Sequence, residues 1–271
     1  MMPQEHWIPS NIPLDKPNPA RMYDYFLGGH HNFEVDRLAG DHICKLYPDA
    51  ANAARTNRAF LQRAMAFLLS QGVDQFLDLG SGMPTAGNVH EVAQDRLPSA
   101  RVAYVDSDPI AVAQSRALLE DTHNTVIAQA DVREPEVILT NPDIVTLLDF
   151  QRPLALLMVA ILHFVTDDAQ AGRIVQTYVN KLPKGSYLVL SHGSHDQAPP
   201  ELVTQIEQLY ARSTQPLRSR SRDQITTFFE GFSIVEPGIV FVPVWRPDSS
   251  STLFARQPSR SAILAGVGKK S

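Results

Sequence analysis

The sequence predicts an α/β fold, a mostly parallel sheet preceded by a helical cover, and three observations carry that prediction. The stretch Phe76-Leu-Asp-Leu-Gly-Ser-Gly-Met-Pro-Thr-Ala-Gly87 reads as an apolar strand, a glycine turn and the start of a helix carrying Val89, Val92 and Ala93. Apolar strand patterns then alternate with helical ones as far as Leu190. About seventy residues of mostly helical pattern come before the first strand.

Taken in order, residues 1–17 hold Pro3, Pro9, Pro13 and Pro17 and read as an extended arm. A helix starts at Pro19, with Met22, Tyr23, Phe26 and Leu27 on one side, and ends at Gly28-Gly29. A second runs through Val35, Leu38, Ile43 and Leu46 and stops before Pro48. A third carries Phe60, Leu61, Ala64, Met65 and Leu68 toward a cap at Gly72. These helices, residues 18–71, form a cover or lid over a core of residues 72–271. After the glycine turn, strands are expected at 102–105, 126–130, 154–160 and 187–190. Asp108-Pro109 opens one helix, Val137 to Leu139 forms a short one, and Thr166 caps another over 167–182. Helices at 200–213 and 222–229 follow. Apolar alternation over 234–244 and a strand at 263–268 then flank a polar loop from Trp245 to Ser261.

Composition bounds the function. With 44% hydrophobic residues, the 271-residue chain can bury one large α/β domain with an elaboration, or two small domains. A net charge of −5 and a pI near 6.0 give no overall basic footprint for nucleic acid or for an anionic membrane. Arg212, Arg218, Arg220 and Arg222 are read as a solvated loop. The single cysteine, Cys44, sits among apolar neighbours and is expected to be inert. No basic leader and no apolar run of ~18 residues occurs, which predicts a soluble cytoplasmic protein. Oligomeric state is left open, a homo-oligomer included.

Ligands of a parallel sheet bind beyond the carboxyl ends of its strands. Those tips carry Asp78, Asp106, Asp131 and His163, with Gly80, Ser81, Gly82, Ser107, Val132 and Ala160 beside them. Asp106 lies 24 residues after Gly82, near the spacing at which an acidic side chain reaches a ribose hydroxyl. Asp131 is placed for an adenine amino group, with Val132 against the ring. A carboxylate at Asp78 repels a pyrophosphate but suits an ammonium and a sulfonium. Thr85 also replaces the third glycine of a dinucleotide turn. The pattern therefore favours S-adenosylmethionine over NAD. His163 is the candidate for taking a proton from a nucleophilic acceptor. His30-His31 and the pair His192 and His195 lack carboxylate or thiol partners at metal spacing, so no metal is expected.

Several longer motifs resemble one family. They are Asn18-Pro-Ala-Arg-Met-Tyr-Asp-Tyr-Phe-Leu-Gly-Gly29, Asn32-Phe33, Asp36-Arg37, the 76–85 turn, Asn88-Val-His-Glu91, Tyr104-Val-Asp-Ser-Asp-Pro109, Leu162-His163, Gly185-Ser-Tyr-Leu-Val-Leu-Ser-His192 and Trp245-Arg-Pro247. Together they resemble the actinobacterial S-adenosylmethionine-dependent methyltransferases once known as DUF574, over most of the chain. The resemblance implies a Rossmann-like class I methyltransferase with a seven-stranded sheet ordered 3-2-1-4-5-7-6, strand seven antiparallel, and N-terminal helices packed over the cofactor. On that basis Tyr23, Tyr25 and Phe26 would roof the cofactor, Arg21 would pair with its carboxylate, and Gly28-Gly29 would give a sharp turn or hinge. The expected reaction is in-line methyl transfer to a small-molecule acceptor. An NAD-dependent oxidoreductase and a non-catalytic, cofactor-binding regulator are the rival readings.

Overall fold

The computed structural model describes residues 14–84, 87–120, 122–248 and 253–271. Most of the 1–17 arm, Thr85 and the 249–252 part of the polar loop lie outside them.

Three helices come first: α1 (Pro19–Leu27), α2 (Glu34–Leu46) and α3 (Ala50–Ser70). The Asn18 side chain caps α1 by accepting from the N–H groups of Ala20 and Arg21. The apolar stripe of α3, with Phe60, Leu61, Ala64, Met65 and Leu68, is buried against Phe76, Val102 and Leu157 of the sheet. Trp245 is fully buried in the same layer and meets Phe60 edge-on, with ring centroids 5.3 Å apart.

The sheet is built from β1 (Gln75–Leu79), β2 (Arg101–Asp106), β3 (Thr125–Gln129), β4 (Ala155–Val159) and β5 (Tyr187–Gly193), all parallel. The crossovers carry α4 (Val89–Arg96), α5 (Pro109–Leu119), α6 (Pro135–Leu139), α7 (Pro142–Leu147) and α8 (Asp168–Lys181). Then come α9 (Pro200–Tyr210), α10 (Arg222–Thr227), β6 (Phe232–Ile234), β7 (Val240–Phe241) and β8 (Ile263–Lys270). Both faces of the parallel strands are covered, which is why they read as unbroken apolar runs. Leu77, Val105, Leu156 and Leu190 face Ile174 and Tyr178 of α8, while their neighbours in sequence pack under α3.

Strand order is β3-β2-β1-β4-β5-β8-β6, with β8 antiparallel to β5 and β6. The order implied by the resemblance holds, with β7 added as an eighth strand pairing with β8. The expected 234–244 strand is instead two short ones. Pro237 and Gly238 break it with a turn in which the Gly238 N–H donates to the Val235 carbonyl. Asp167 rather than Thr166 caps α8, accepting from the Gln170 N–H at 2.6 Å. The end of the polar loop is pinned: Arg260 makes a two-pronged ion pair with Asp49 at 2.7 Å, and the Tyr47 hydroxyl donates to the Arg260 carbonyl. Among the described residues no helix is long and apolar enough to cross a membrane.

Candidate functional site

The strand order reverses between β1 and β4, and a crevice opens beyond their carboxyl ends. At its floor the chain turns through Gly80 and Gly82, at φ of 72° and 68°. The N–H groups of Gly80 and Ser81 donate to the Val105 carbonyl at 2.8 and 3.1 Å, which fastens the turn to the end of β2. A Cβ at Gly80 would stand 2.5 Å from the Ile161 side chain, so the position needs glycine for space as well as for φ.

Asp106 stitches this turn together. Its carboxylate accepts from the Gly82 N–H at 2.7 Å and the Asp108 N–H at 2.8 Å. Burial pushes its carboxyl up to about 6, against the pull of those two donors. Asp78 is buried at the tip of β1, and desolvation pushes it up to about 7. The Arg58 charge opposes that rise and Asp106 adds to it. Asp108, by contrast, is a helix cap for α5, accepting from Ile110 and Ala111.

A cavity of about 440 Å³ fills the crevice and continues under α1, α3 and α9. Ten of the residues expected at a site line it: Asp78, Gly80, Ser81, Gly82, Asp106, Ser107, Asp131, Val132, Ala160 and His163. Its volume is that of a small-molecule site. Asp131 is held by its own neighbour Arg133, whose guanidinium donates to both carboxylate oxygens. Burial raises its carboxyl, but the hydrogen bonds from Arg133 outweigh that and hold it below its usual value.

Three expected residues are elsewhere. Arg21 is buried and ion-paired to Asp36 at 2.8 Å, with Asp108 at 3.7 Å, so it joins α1, α2 and α5 and leaves no donor for a ligand carboxylate in the cavity. The Tyr25 hydroxyl turns outward and donates to Asp41 at 2.6 Å. Gly28 is the left-handed C-cap of α1, at φ 83°, outside the cavity lining. Of the proposed roof, Tyr23 and Phe26 do line the cavity.

The cover contributes residues that sequence reasoning missed. Asn57 of α3 donates to the Tyr23 hydroxyl at 3.0 Å and accepts from Ser191 Oγ at 2.7 Å. Ser191 Oγ in turn accepts from the Ala160 N–H at 3.0 Å, where Ala160 holds a left-handed φ of 57°. This buried chain ties α1 and α3 to the tips of β5 and β4. Arg58, the next residue, lines the cavity and donates to the Gly87 carbonyl and Asn88 Oδ1 at 3.2 Å. Among the described residues no carboxylate lies within ion-pair distance of it.

His163 follows β4 in the 3-10 turn Leu162–Phe164 and lines the cavity. Its Nδ1 accepts from the Gly193 N–H at 3.2 Å, which places the ring hydrogen on Nε2. Burial first, then the Arg220 charge, pushes its pKa down to about 3. A neutral ring whose acceptor nitrogen is occupied is a hydrogen-bond donor, which corrects the expected proton-accepting role. Arg220 itself corrects the solvated-loop reading of the arginine run. It is buried and donates to the carbonyls of Leu162 and Val165, to His192 Nε2 at 2.9 Å and to Asp168 at 2.9 Å. It thereby clamps the loop that carries His163. His192 is consumed in that clamp, its Nδ1 bonded to the Gly193 carbonyl.

The residues fit an adenosylated amino acid. Ser81 Oγ and Arg58 Nε are buried and meet no partner among the described residues, a state that a polar ligand relieves. One end of the crevice offers both an anion and a cation, as a zwitterion requires, and the other offers Asp106 to a ribose.

A family model described as S-adenosyl methyltransferase matches residues 5–271. An assigned methyltransferase from Thermobifida fusca YX is 39% identical with a TM-score of 0.91, over 98% of this chain and 100% of that one. A DUF574 family protein from Streptomyces avermitilis MA-4680 is 37% identical with a TM-score of 0.88, over 95% of this chain and 99% of that one. No curated protein matches the sequence.

Proposed function

The chain belongs to the S-adenosyl methyltransferase family, and on that premise we propose how its residues serve methyl transfer from S-adenosylmethionine to a small-molecule acceptor. Asp78 receives the ammonium of the cofactor's amino acid end and Arg58 its carboxylate. Asp106 accepts from the ribose hydroxyls, while Asp131 and Val132 border the adenine. The observation that carries this reading is the pair of opposite charges at the tip of β1: a buried carboxylate and a guanidinium free of acidic partners among the described residues, both lining one cavity.

When bound, the cofactor supplies a methyl group on a positively charged sulfur that departs as a neutral thioether. The chain's part is orientation and exclusion of water. Tyr23 and Asn57 hold the cover against the sheet, and the arm of the cavity under α9 would receive the acceptor and keep water from it. That open arm disfavours the regulator reading, whose acceptor pocket would be closed. The carboxylate of Asp78 at the position of a pyrophosphate disfavours NAD.

Replacing Arg58→Met tests the assignment. Losing a charge-assisted hydrogen bond costs about 1.5–3 kcal/mol, so affinity for S-adenosylhomocysteine falls at least about tenfold in calorimetric titration while the melting temperature stays near that of the parent. Unchanged affinity would remove Arg58 from the site.

A further inference from the structure

The arm of the cavity that lies away from the strand tips has its own chemistry. Its walls include Tyr23, Ile43, Tyr47, Leu202, Ile206 and Tyr210. Leu202, Ile206 and Tyr210 recur every fourth residue along α9, a helix with no buried residue, and line the cavity, while Ile206 and Tyr210 also pack against the cluster of Met22, Phe26 and Ile43. Asp49 is paired with Arg260, and Asp24 accepts through Oδ2 from the His31 N–H and the Asn32 amide at 2.8 Å, its buried Oδ1 meeting no hydrogen-bond partner among the described residues. The apolar walls suit a ring-bearing ligand more than a multiply charged one.

Polar groups interrupt the apolar surface, His163 among them. His163 lines the cavity with Nδ1 occupied by the Gly193 N–H, and Nε2–H meets no partner among the described residues. Behind it stand Arg220 with its partner Asp168, and His192, which accepts from Arg220 and is neutral. Arg220 is buried whereas Asp168 is half exposed, so solvent screens the anion more than the cation and the field at Nε2–H favours negative charge. Burial and Arg220 also keep the ring from taking up a proton near neutral pH.

Resting on the methyltransferase reading of this site, we propose that the acceptor is an aromatic, largely apolar small molecule with an acidic hydroxyl, bound as its oxyanion against the Nε2–H of His163. The proton leaves to solvent as the acceptor ionises. An oxygen lone pair then forms the O–C bond while the C–S bond breaks, with its electron pair remaining on sulfur. Anion and sulfonium cancel to a neutral ether and a neutral thioether, so the transfer itself releases no proton and needs no base on the enzyme.

The probe is 4-nitro-1-naphthol, whose ionised form absorbs in the visible, added to the full chain saturated with S-adenosylhomocysteine. The expected result is an apparent pKa for the bound naphthol lowered by about one unit or more, and binding about tenfold tighter than that of its methyl ether. His163→Phe abolishes the shift, and His163→Gln, which keeps an amide donor, restores part of it. Calorimetry with S-adenosylhomocysteine on each variant reports separately on the cofactor crevice. Absence of naphthol binding, an unshifted pKa, or a shift that survives in His163→Phe overturns the proposal while the cofactor reading stands. Failure of the parent protein to bind S-adenosylhomocysteine overturns both.

Discussion

Acidification should weaken cofactor binding by an amount set at Asp78. In the ligand-free protein burial holds this carboxyl at about 7, whereas the bound ammonium requires the carboxylate. Below about pH 7 binding therefore expels a proton, and affinity falls as pH falls. Going from about pH 7.5 to about 5.5 takes the ionised fraction from roughly three-quarters to roughly 3%, a loss of roughly 25-fold from Asp78 alone. Asp106, pushed up to about 6, adds to the loss at the lower end of that range, while His163 stays neutral throughout. Calorimetry with S-adenosylhomocysteine in two buffers of different ionisation enthalpy gives both the affinity and the proton count. The expected count exceeds one released proton at the acid end, Asp78 giving nearly one and Asp106 the rest. Asp78→Asn should bind weakly at both pH values with a flatter profile. Affinity independent of pH in the parent protein, or no proton release, would refute the assignment of Asp78 to the ammonium.

The same carboxyl affects stability with the opposite sign. Its folded value lies above its ordinary one, so the ligand-free native state binds the proton more tightly than the unfolded chain, and the contribution of Asp78 to stability declines as pH rises from about 4 to about 7. Asp78→Asn should therefore melt higher relative to the parent at about pH 8 than at about pH 5 by scanning calorimetry. Asp106→Asn keeps an acceptor for the Gly82 N–H and should lose cofactor affinity about tenfold with the fold intact, whereas Asp106→Ala also frees the turn and should unfold more readily in urea. Trp245→Ala removes a fully buried ring packed on Phe60 and should cost about 3–5 kcal/mol in denaturant unfolding.

Much of this architecture is legible in the chain because its signals are local. The strand, glycine turn and helix at 76–96, the Asp108-Pro109 helix start and the fully apolar strands each follow from neighbours a few residues apart. Asp78 and Asp106 were readable as a pair because both close a strand on the same side of a parallel sheet. What escaped depends on contacts far apart in sequence. Arg21 reads as a ligand group on its own helix, yet Asp36 and Asp108 claim it across three elements. Arg220 looks like its neighbours in an arginine-rich run, and only the loop folded around it makes it a clamp. Asn57 did leave a signal. It sits in phase with Ala50, Ala53, Leu61, Ala64 and Leu68 on the buried stripe of α3, and a polar side chain there demands a partner, here Tyr23 and Ser191. Arg58 beside it left none, since one arginine on a helix is ordinary.

Parallel calorimetric titration of the purified chain with S-adenosylmethionine, S-adenosylhomocysteine and NAD tests the central claim most directly. Binding of the two adenosylated amino acids at about micromolar Kd, with no heat from NAD, is the predicted result. Binding of NAD alone would contradict the account, because a pyrophosphate would then occupy the crevice in which Asp78 stands.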